Sequence, residues 1–276
     1  WEVSVRRFTG RHEGMEAVGG FRAQLHEDGA DTLSVRVGVV DGKARMLERF
    51  VPKQRVPPKL YSFLTNSISS GTFTSGWYYG HGDIGHGEAA GDPVFTSSMA
   101  YRFRDTSLTF DPEWPPLTGT SGELHVQGDE GRIQLEQGVV AGVDLEPSRI
   151  RVAGGDQGLR VDVDTGARRD GELITDEWRR NSPLDKLLGS WVEELDVTGA
   201  NDIALSLSIW PGQARDPEID LSLSLVGSHV RFAPAGVEWR DVTGPVRFSS
   251  DKGFEPTELE ARFMGEPVVL QVRHGP

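Results

Sequence analysis

The chain has 276 residues, among them 34 glycines, 16 prolines and no cysteine, and its formal net charge is −13 at pH 7. The lack of cysteine excludes disulfides and Cys-based zinc sites. The acidic balance argues against nucleic acid as a partner and against docking on an anionic membrane surface by charge alone. The glycine and proline content predicts many strands joined by tight turns. Because no apolar run approaches the ~20 residues of a membrane helix and the chain begins at Trp1, we interpret it as an internal piece of a longer protein.

The first segment, residues 1–56, is predicted to be a meander of strands. Apolar residues alternate from Phe21 to Leu25 and again from Leu33 to Val39. Alternation with a period of two is typical of a strand with one apolar face. Asp41-Gly42 is a dipeptide that favours a hairpin turn, so we expect the second of these strands to end there.

A first helix is predicted over Pro58–Ser70, because proline is tolerated in a first turn and Gly71 is a suitable C-cap. Further alternating strands follow as far as Val163. The charged residues 165–180 predict a loop.

A second helix is predicted over Pro183–Leu195, with Ser182 as its N-cap and Asp185 completing a short capping box. Two strands with strictly alternating apolar residues follow it. The second half of the chain therefore repeats the order of the first, a helix and then strands.

The turn between two strands is also repeated. In both halves a strand ends in Phe-x-Pro, and a Trp, a Thr-Gly dipeptide and another alternating strand follow. The matched positions are Phe110 with Phe232, Pro112 with Pro234, and Trp114 with Trp239. We therefore predict two helix-plus-strands repeats, residues 57–165 and 166–276, in an elongated protein whose units mainly contact their neighbours.

Motifs for catalysis or metal binding are weak. Gly80–Gly85 fits G-x-G-x-x-G, but another glycine-rich turn follows it instead of the helix that a dinucleotide site requires, so a flexible hairpin loop is favoured. His81 and His86, with Asp83 and Glu88, could offer imidazole and carboxylate ligands to a metal, but they lie in a glycine loop that fixes no ligand geometry. The adjacent Glu193 and Glu194 point in different directions on a helix. The sequence favours a protein that is not an enzyme and needs no cofactor.

The alternating apolar residues leave two folds open. One-sided strands most often pair face to face in a β-sandwich. The repeat and the scarcity of helices favour the other fold. This fold is mainly β, an elongated, repeated antiparallel sheet curled into an apolar groove (a β-taco-like fold), with two short α-helices. An apolar surface of that size needs a ligand or a partner. The predicted lining comprises Leu33, Val35, Val37, Tyr101, Phe103, Leu124, Val126, Ile133, Leu135, Ile203, Leu205, Leu207, Ile209, Ile219, Leu221, Leu223, Leu225 and Leu270.

Two stretches carry a family resemblance. The run RVPPKLYSFLTNSISSGTFTSGWYYGHG resembles a proline-led helix and strand of the YhdP family of AsmA-like proteins, and LTFDPEWPPLTGTSGELHVQG is similar to that family's Phe-x-Pro-x-Trp-Pro-x-Leu turn and the strand after it. The resemblance covers most of residues 1–165 and extends, through the repeat, to the rest. It implies an inner-membrane-anchored periplasmic protein of Gram-negative bacteria whose kin, including TamB, form long β-grooves that carry phospholipids toward the outer membrane.

The resulting hypothesis is a segment of a periplasmic lipid conduit between the inner and outer membranes, which supports the outer-membrane barrier. The implied partners are phospholipid acyl chains and the inner membrane, the latter through an anchor outside this segment. Exposing a ~16-carbon acyl chain to water costs on the order of 12 kcal/mol, so a lipid needs a continuous apolar path. The alternative is a periplasmic structural domain that binds protein partners through its sheet edges.

Overall fold

The structure, a computed structural model, describes residues 1–27, 29–46, 48, 58–84, 95–109, 114–155, 158–172 and 194–273. Most of these residues lie in β-strands of one antiparallel sheet, so the prediction of a mainly β fold with few helices is confirmed. No helix within these ranges is long and apolar enough to cross a membrane.

The sheet follows the chain with little rearrangement. Each strand pairs with the one before it and the one after it, except that the short strands β8 and β14 pair only with β7 and β13. The described strands are β1 (Glu2–His12), β2 (Met15–Gln24), β3 (Thr32–Lys43), β4 (Ile68–Asp83), β5 (Phe95–Leu108), β6 (Leu117–Gln127), β7 (Glu130–Val140), β8 (Val143–Asp144), β9 (Ser148–Gly155), β10 (Gly158–Glu172), β11 (Leu195–Ile209), β12 (Glu218–Phe232), β13 (Val237–Ser249), β14 (Gly253–Phe254), β15 (Thr257–Phe263) and β16 (Glu266–Val272).

Tight two-residue turns make this meander possible. Glu13-Gly14 joins β1 to β2, and Met264-Gly265 joins β15 to β16, with positive φ at both residues of each turn. This geometry matches the right-handed twist of the flanking strands. The prediction of a hairpin at Asp41-Gly42 is wrong: β3 continues through both residues, and Gly42 pairs with Phe73 of β4.

Contacts divide the chain into two compact units. Unit 1 comprises Trp1–Leu108, Gly119–Leu135 and Arg151–Leu159. Unit 2 comprises Thr109–Thr118, Glu136–Ile150 and Arg160–Pro276. The predicted segments 1–56, 57–165 and 166–276 stay a prediction.

The first predicted helix is shorter than expected. Helix α1 spans Pro58–Ser67, and β4 begins at Ile68. Gly71 is therefore not a C-cap. It lies inside β4 with φ +111°, where an added Cβ would overlap the side chain of Thr106 on β5, so close approach of the two strands requires glycine. In the second predicted helix, residues 183–193 lie outside the described residues, and Leu195 begins β11.

The loop predicted over residues 165–180 is wrong as far as Glu172, because β10 extends to that residue; residues 173–180 lie outside the described residues. Its last residues pair with β11, and the Arg168 guanidinium donates to the Asp202 carboxylate over 2.7 Å across the two strands. A charged stretch is therefore compatible with a strand whose charged side chains face solvent as well as with a loop. The hairpin loop expected over Gly80–Gly85 begins later than predicted, since β4 runs to Asp83.

Candidate functional site

In unit 2, the strand registers place aliphatic side chains next to one another on one face of the sheet. Ile203 pairs with Leu223 and Leu205 pairs with Leu221 across β11 and β12. On the next strand, Val246 pairs with Leu223. Because paired residues point to the same side, these alternating positions form one surface. We call it the β10–β13 face; it comprises Val161, Val163, Ala167, Ile203, Leu205, Leu207, Ile209, Ile219, Leu221, Leu223, Leu225, Val246 and Phe248.

Burial along the β10–β13 face is uneven. Leu207 and Ile209 are 4% and 3% exposed, and Leu225 is 4% exposed. Between these buried ends, Ile203 and Leu221, together with their neighbours Leu205, Leu223 and Val246, are only half-buried. The middle of the face is therefore a partly exposed aliphatic surface, in which Leu223 and Val246 also pack against the neighbouring hydrophobic cluster.

The opposite side of the same strands is polar and hydrated. Asp202, Ser206 and Ser222 are exposed there. The Ser206 hydroxyl donates to the Asp164 carboxylate over 2.6 Å. The Arg168 guanidinium holds the pKa of Asp202 below its usual value, mainly through the hydrogen bond between them. The two sides of the sheet thus differ sharply in chemistry.

A small buried polar network lies at one end of the β10–β13 face. The Asn201 amide donates to the Gly199 carbonyl over 2.8 Å, and the Ser228 hydroxyl donates to the Asn201 carbonyl oxygen over 2.9 Å. Both side chains are almost fully buried, at 1% and 0% exposure. The network satisfies the polar groups at a point where the register of β11 and β12 shifts beside Gly199, which has φ +121°.

Next to this network is a compact hydrophobic cluster formed by β11, β12, β13 and β15. Val242 is at its centre with 0% exposure. Leu270 of β16, the last predicted lining residue, packs on the half-buried rim of the cluster. The buried members are Val197, Leu225, Val242, Leu259 and Ala261.

In unit 1, the predicted lining residues Leu33, Val35 and Val37 share one half-buried face of β3. Val35 pairs with Phe21 of β2, and Val37 pairs with Tyr78 of β4. These side chains form a second apolar surface, which we call the β2–β4 face.

Glycines opposite aromatic rings shape this part of the sheet. A Cβ added at Gly76 would overlap the ring of Tyr101, its cross-strand partner. A Cβ at Gly80 would come 2.8 Å from the ring of Phe95, and one at Gly19 would come 2.6 Å from the ring of Phe8. The rings therefore lie flat across glycine positions, where a side chain would otherwise hold them away.

The remaining predicted lining residues are fully buried. Tyr101 and Phe73 are in edge-to-face contact, with ring centroids 5.4 Å apart. Burial, with a smaller contribution from Tyr78, raises the pKa of Tyr101 to about 12. The buried group, all in unit 1, comprises Tyr101, Phe103, Leu124, Val126, Ile133 and Leu135. These residues form packed core, so the ligand-accessible part of the predicted lining is the half-buried remainder.

Sequence reasoning missed several members of these surfaces. Val246 and Phe248 alternate visibly, but only the register with β12 shows that they continue its aliphatic face. Ala167 lies within the charged stretch that was interpreted as a loop, so its signal was weak. Phe21 and Tyr78 could be assigned to the β2–β4 face only once their partners on β3 were known.

The weak catalytic and metal motifs are not brought together into a site within the described ranges. The His81 Nδ1 atom is hydrogen-bonded to the Ser34 hydroxyl at 2.7 Å. His86, Glu88 and Glu193 lie outside the described residues, and Glu194 is exposed. No group of three or more His, Asp or Glu side chains in the described chain is arranged to hold a metal ion.

Comparison with known proteins gives one match. A family model described as YhdP protein matches residues 1–275, which is nearly the whole chain. No curated protein and no solved structure matches the chain.

Proposed function

Because the chain belongs to the YhdP protein family, we propose that it is a segment of a periplasmic conduit that moves phospholipids between the inner and outer membranes. Membership in this family supports a role related to lipid transport. In the proposed role the acyl chains contact the protein, the headgroups stay in water, and no catalytic step is required.

The observation that carries the proposal is the half-buried stretch in the middle of the β10–β13 face. Leu205 and Leu221 lie side by side there, with Ile203 and Leu223 as the next pair along the strands. An acyl chain on this surface exchanges water for aliphatic contact at about 0.8 kcal/mol per buried CH₂. Because neighbouring residue pairs are also aliphatic, the acyl chain can shift along the strands without full exposure to water.

The polar opposite side supports the same role. Its carboxylates and hydroxyls remain hydrated, which keeps a long sheet in solution while the other side stays apolar. The net charge of −13 also disfavours adhesion of anionic headgroups along the path. The supporting features are thus one apolar side and one polar side on the same strands of unit 2.

Site-specific photo-crosslinking tests the proposal. A photoreactive amino acid is introduced in turn at Asp220, Leu221, Ser222 and Leu223, and the chain is purified gently from a Gram-negative host. After irradiation, mass spectrometry of the intact protein measures the mass of any attached phospholipid. Because successive residues of β12 face opposite sides, we expect lipid adducts at Leu221 and Leu223 and none at the two alternate positions.

Two results would count against the conduit. Equal adducts at all four positions would mean that lipid contacts the protein without regard to face. Absence of adducts at Leu221 and Leu223, in a folded protein from cells with normal phospholipid content, would mean that the half-buried face holds no lipid.

A second candidate function has its own observation. Strands β1 and β16 each pair with a single neighbour in the described sheet, and an edge strand can add a strand from another chain. A periplasmic scaffold that binds protein partners would use these edges. Crosslinks from the edges to protein, without lipid on the β10–β13 face, would favour this function.

A further inference from the structure

Unit 1 carries a shallow hollow on the side of the sheet opposite the β2–β4 face. Its volume is about 390 Å³. Arg36 and Gly38 alternate with Val35 and Val37 along β3, so they point away from the apolar side. We call this feature the arginine hollow; its main lining residues are Arg6, Arg7, Arg36, Gly38, Trp77 and Tyr79.

The arginines of the hollow differ from others nearby. Arg11 is ion-paired with Glu16, and Arg45 with Glu13. By contrast, Arg6, Arg7 and Arg36 form no ion pair with any carboxylate that the structure describes, and all are exposed. Three arginines without an ion pair in the described part of the chain thus line one concave place of an acidic protein.

The hollow also exposes large apolar side chains. Trp77 and Tyr79 are each 47% exposed, and Val18 is 44% exposed. Val18 and Trp77 both pair with Gly38, which lies between them on the same side of the sheet. Gly38 has no Cβ, so it leaves open space between these two larger side chains.

Charge is distributed unevenly along the chain. Residues 1–108 carry 13 Lys and Arg against 12 Asp and Glu, whereas residues 109–276 carry 16 against 30, which together make the totals of 29 and 42. The excess negative charge therefore belongs to the second part of the chain. Residues 1–108, which include every residue of the arginine hollow, are therefore close to neutral in sum.

We propose that the arginine hollow is a docking site for an acidic segment of a partner protein, in which carboxylates flank one apolar or aromatic side chain. Guanidinium groups bind carboxylates in a planar, two-point geometry. Arg, Trp and Tyr are also the residues that dominate the energetics of protein interfaces, with an anchor side chain seated in a pocket. Here the space over Gly38 would take the anchor, and the three arginines would take the carboxylates.

The same observations favour a protein over an anionic membrane surface. Basic surfaces that bind such membranes typically have about four to eight Lys and Arg residues. The hollow has three, all arginine. Because the hollow lies on the side of unit 1 opposite the β2–β4 face, the proposal does not depend on lipid binding at that face.

Nuclear magnetic resonance of the full chain tests the proposal. The probe is a short capped peptide in which glutamates flank one phenylalanine, at millimolar concentration and low salt, and its twin has glutamines in place of the glutamates. We expect the acidic peptide to shift the indole N–H resonance of Trp77 saturably, and the twin to bind at least fivefold more weakly. Added salt is expected to weaken binding of the acidic peptide, because salt screens exposed ion pairs.

Matched variants locate the site. Arg36→Gln is expected to weaken binding about fivefold, the effect of one exposed ion pair worth about 1 kcal/mol. Gly38→Val is expected to weaken it at least tenfold, because the new side chain fills the hollow while its Cβ meets nothing closer than 3.6 Å. Arg11→Gln and Gly10→Val are the controls: both lie on β1 outside the lining, and nothing lies within 4 Å of a Cβ at Gly10.

Three results would overturn the proposal. Equal binding of the two peptides would show that the peptide carboxylates contribute nothing to the binding. If Arg11→Gln and Arg36→Gln weakened peptide binding equally, the binding would depend on the overall charge of the protein and not on the hollow. Binding of phosphatidylglycerol vesicles that is lost in Arg36→Gln and is stronger than peptide binding would assign the hollow to a membrane surface instead. The resonances distant from the hollow report whether each variant remains folded.

Discussion

A pair of substitutions separates the packed part of the β10–β13 face from its open part. Leu207→Asp and Leu223→Asp make the same chemical change on adjacent strands. Leu207 is 4% exposed, whereas Leu223 is half-buried. We expect Leu207→Asp to unfold the protein and Leu223→Asp to leave it folded but with weaker lipid binding.

The magnitudes follow from burial. Loss of the Leu207 side chain costs about 2–5 kcal/mol, and an unpaired carboxylate in its place costs several more. The sum is comparable with the whole free energy of unfolding of a typical domain, about 5–15 kcal/mol. At Leu223, which is partly exposed, the loss is smaller than the ~2 kcal/mol of a fully buried leucine, and the carboxylate keeps part of its hydration.

Urea unfolding followed by circular dichroism measures the stability of each variant, and mass spectrometry of extracted lipid measures phospholipid per protein. Ser222→Asp is the control, because Ser222 is exposed on the polar side of the same strand as Leu223. We expect at least a tenfold loss of lipid in Leu223→Asp and none in the control. Equal destabilisation by both leucine substitutions would refute the distinction between packed and open regions, and full lipid binding by Leu223→Asp would refute the role of the open region.

Further predictions concern packing, buried polarity and pH. Gly76→Ala should destabilise the fold by about 1–3 kcal/mol in urea unfolding, because its Cβ overlaps the Tyr101 ring, whereas Gly42→Ala, with its nearest contact at 3.5 Å, should not. Asn201→Ala should cost about 1–3 kcal/mol in the same assay, since it leaves the buried Ser228 hydroxyl without its amide partner; no loss would mean that the network is replaceable. Because burial raises the pKa of Tyr101 to about 12, the unfolded chain releases this phenolic proton first above pH 10. Stability is therefore unaffected below pH 10 and falls by about 1.4 kcal/mol per pH unit up to about pH 12, and Tyr101→Phe should remove that part of the decline in alkaline urea titrations.

The sequence predicted those strands whose two faces differ in polarity. In β11 and β12, Leu or Ile alternates with Ser, Asp or Ala, so both the strands and their apolar sides were evident. The bounds of β1 could not be predicted within the N-terminal meander, because its few apolar residues are interrupted at the register shift between Val5 and Phe8. The pattern does not reveal the end of β10, because its inward positions after Val163 carry Thr165, Ala167 and Arg169 in place of large aliphatic residues.

The degree of burial could not be predicted from the pattern. Leu205 and Leu207 have the same side chain and the same orientation, yet one is half-buried and the other packed. That difference depends on neighbours that are distant in sequence, as does the overlap between Gly76 and the Tyr101 ring. Alternation assigns a residue to a side of the sheet, while strand register decides what it touches.

The alternation of β11 and β12 also constrains how such a sheet can change in length during evolution. Removing one residue between Ala200 and Ile209 would turn every later aliphatic side chain of β11 toward water and its serines toward the apolar side. Changes of two residues preserve the sides, and the irregularity at Gly199 already accommodates one local shift. Insertions and deletions in related chains should therefore occur in pairs within strands, or at turns and irregularities, where a change of one residue leaves both sides intact.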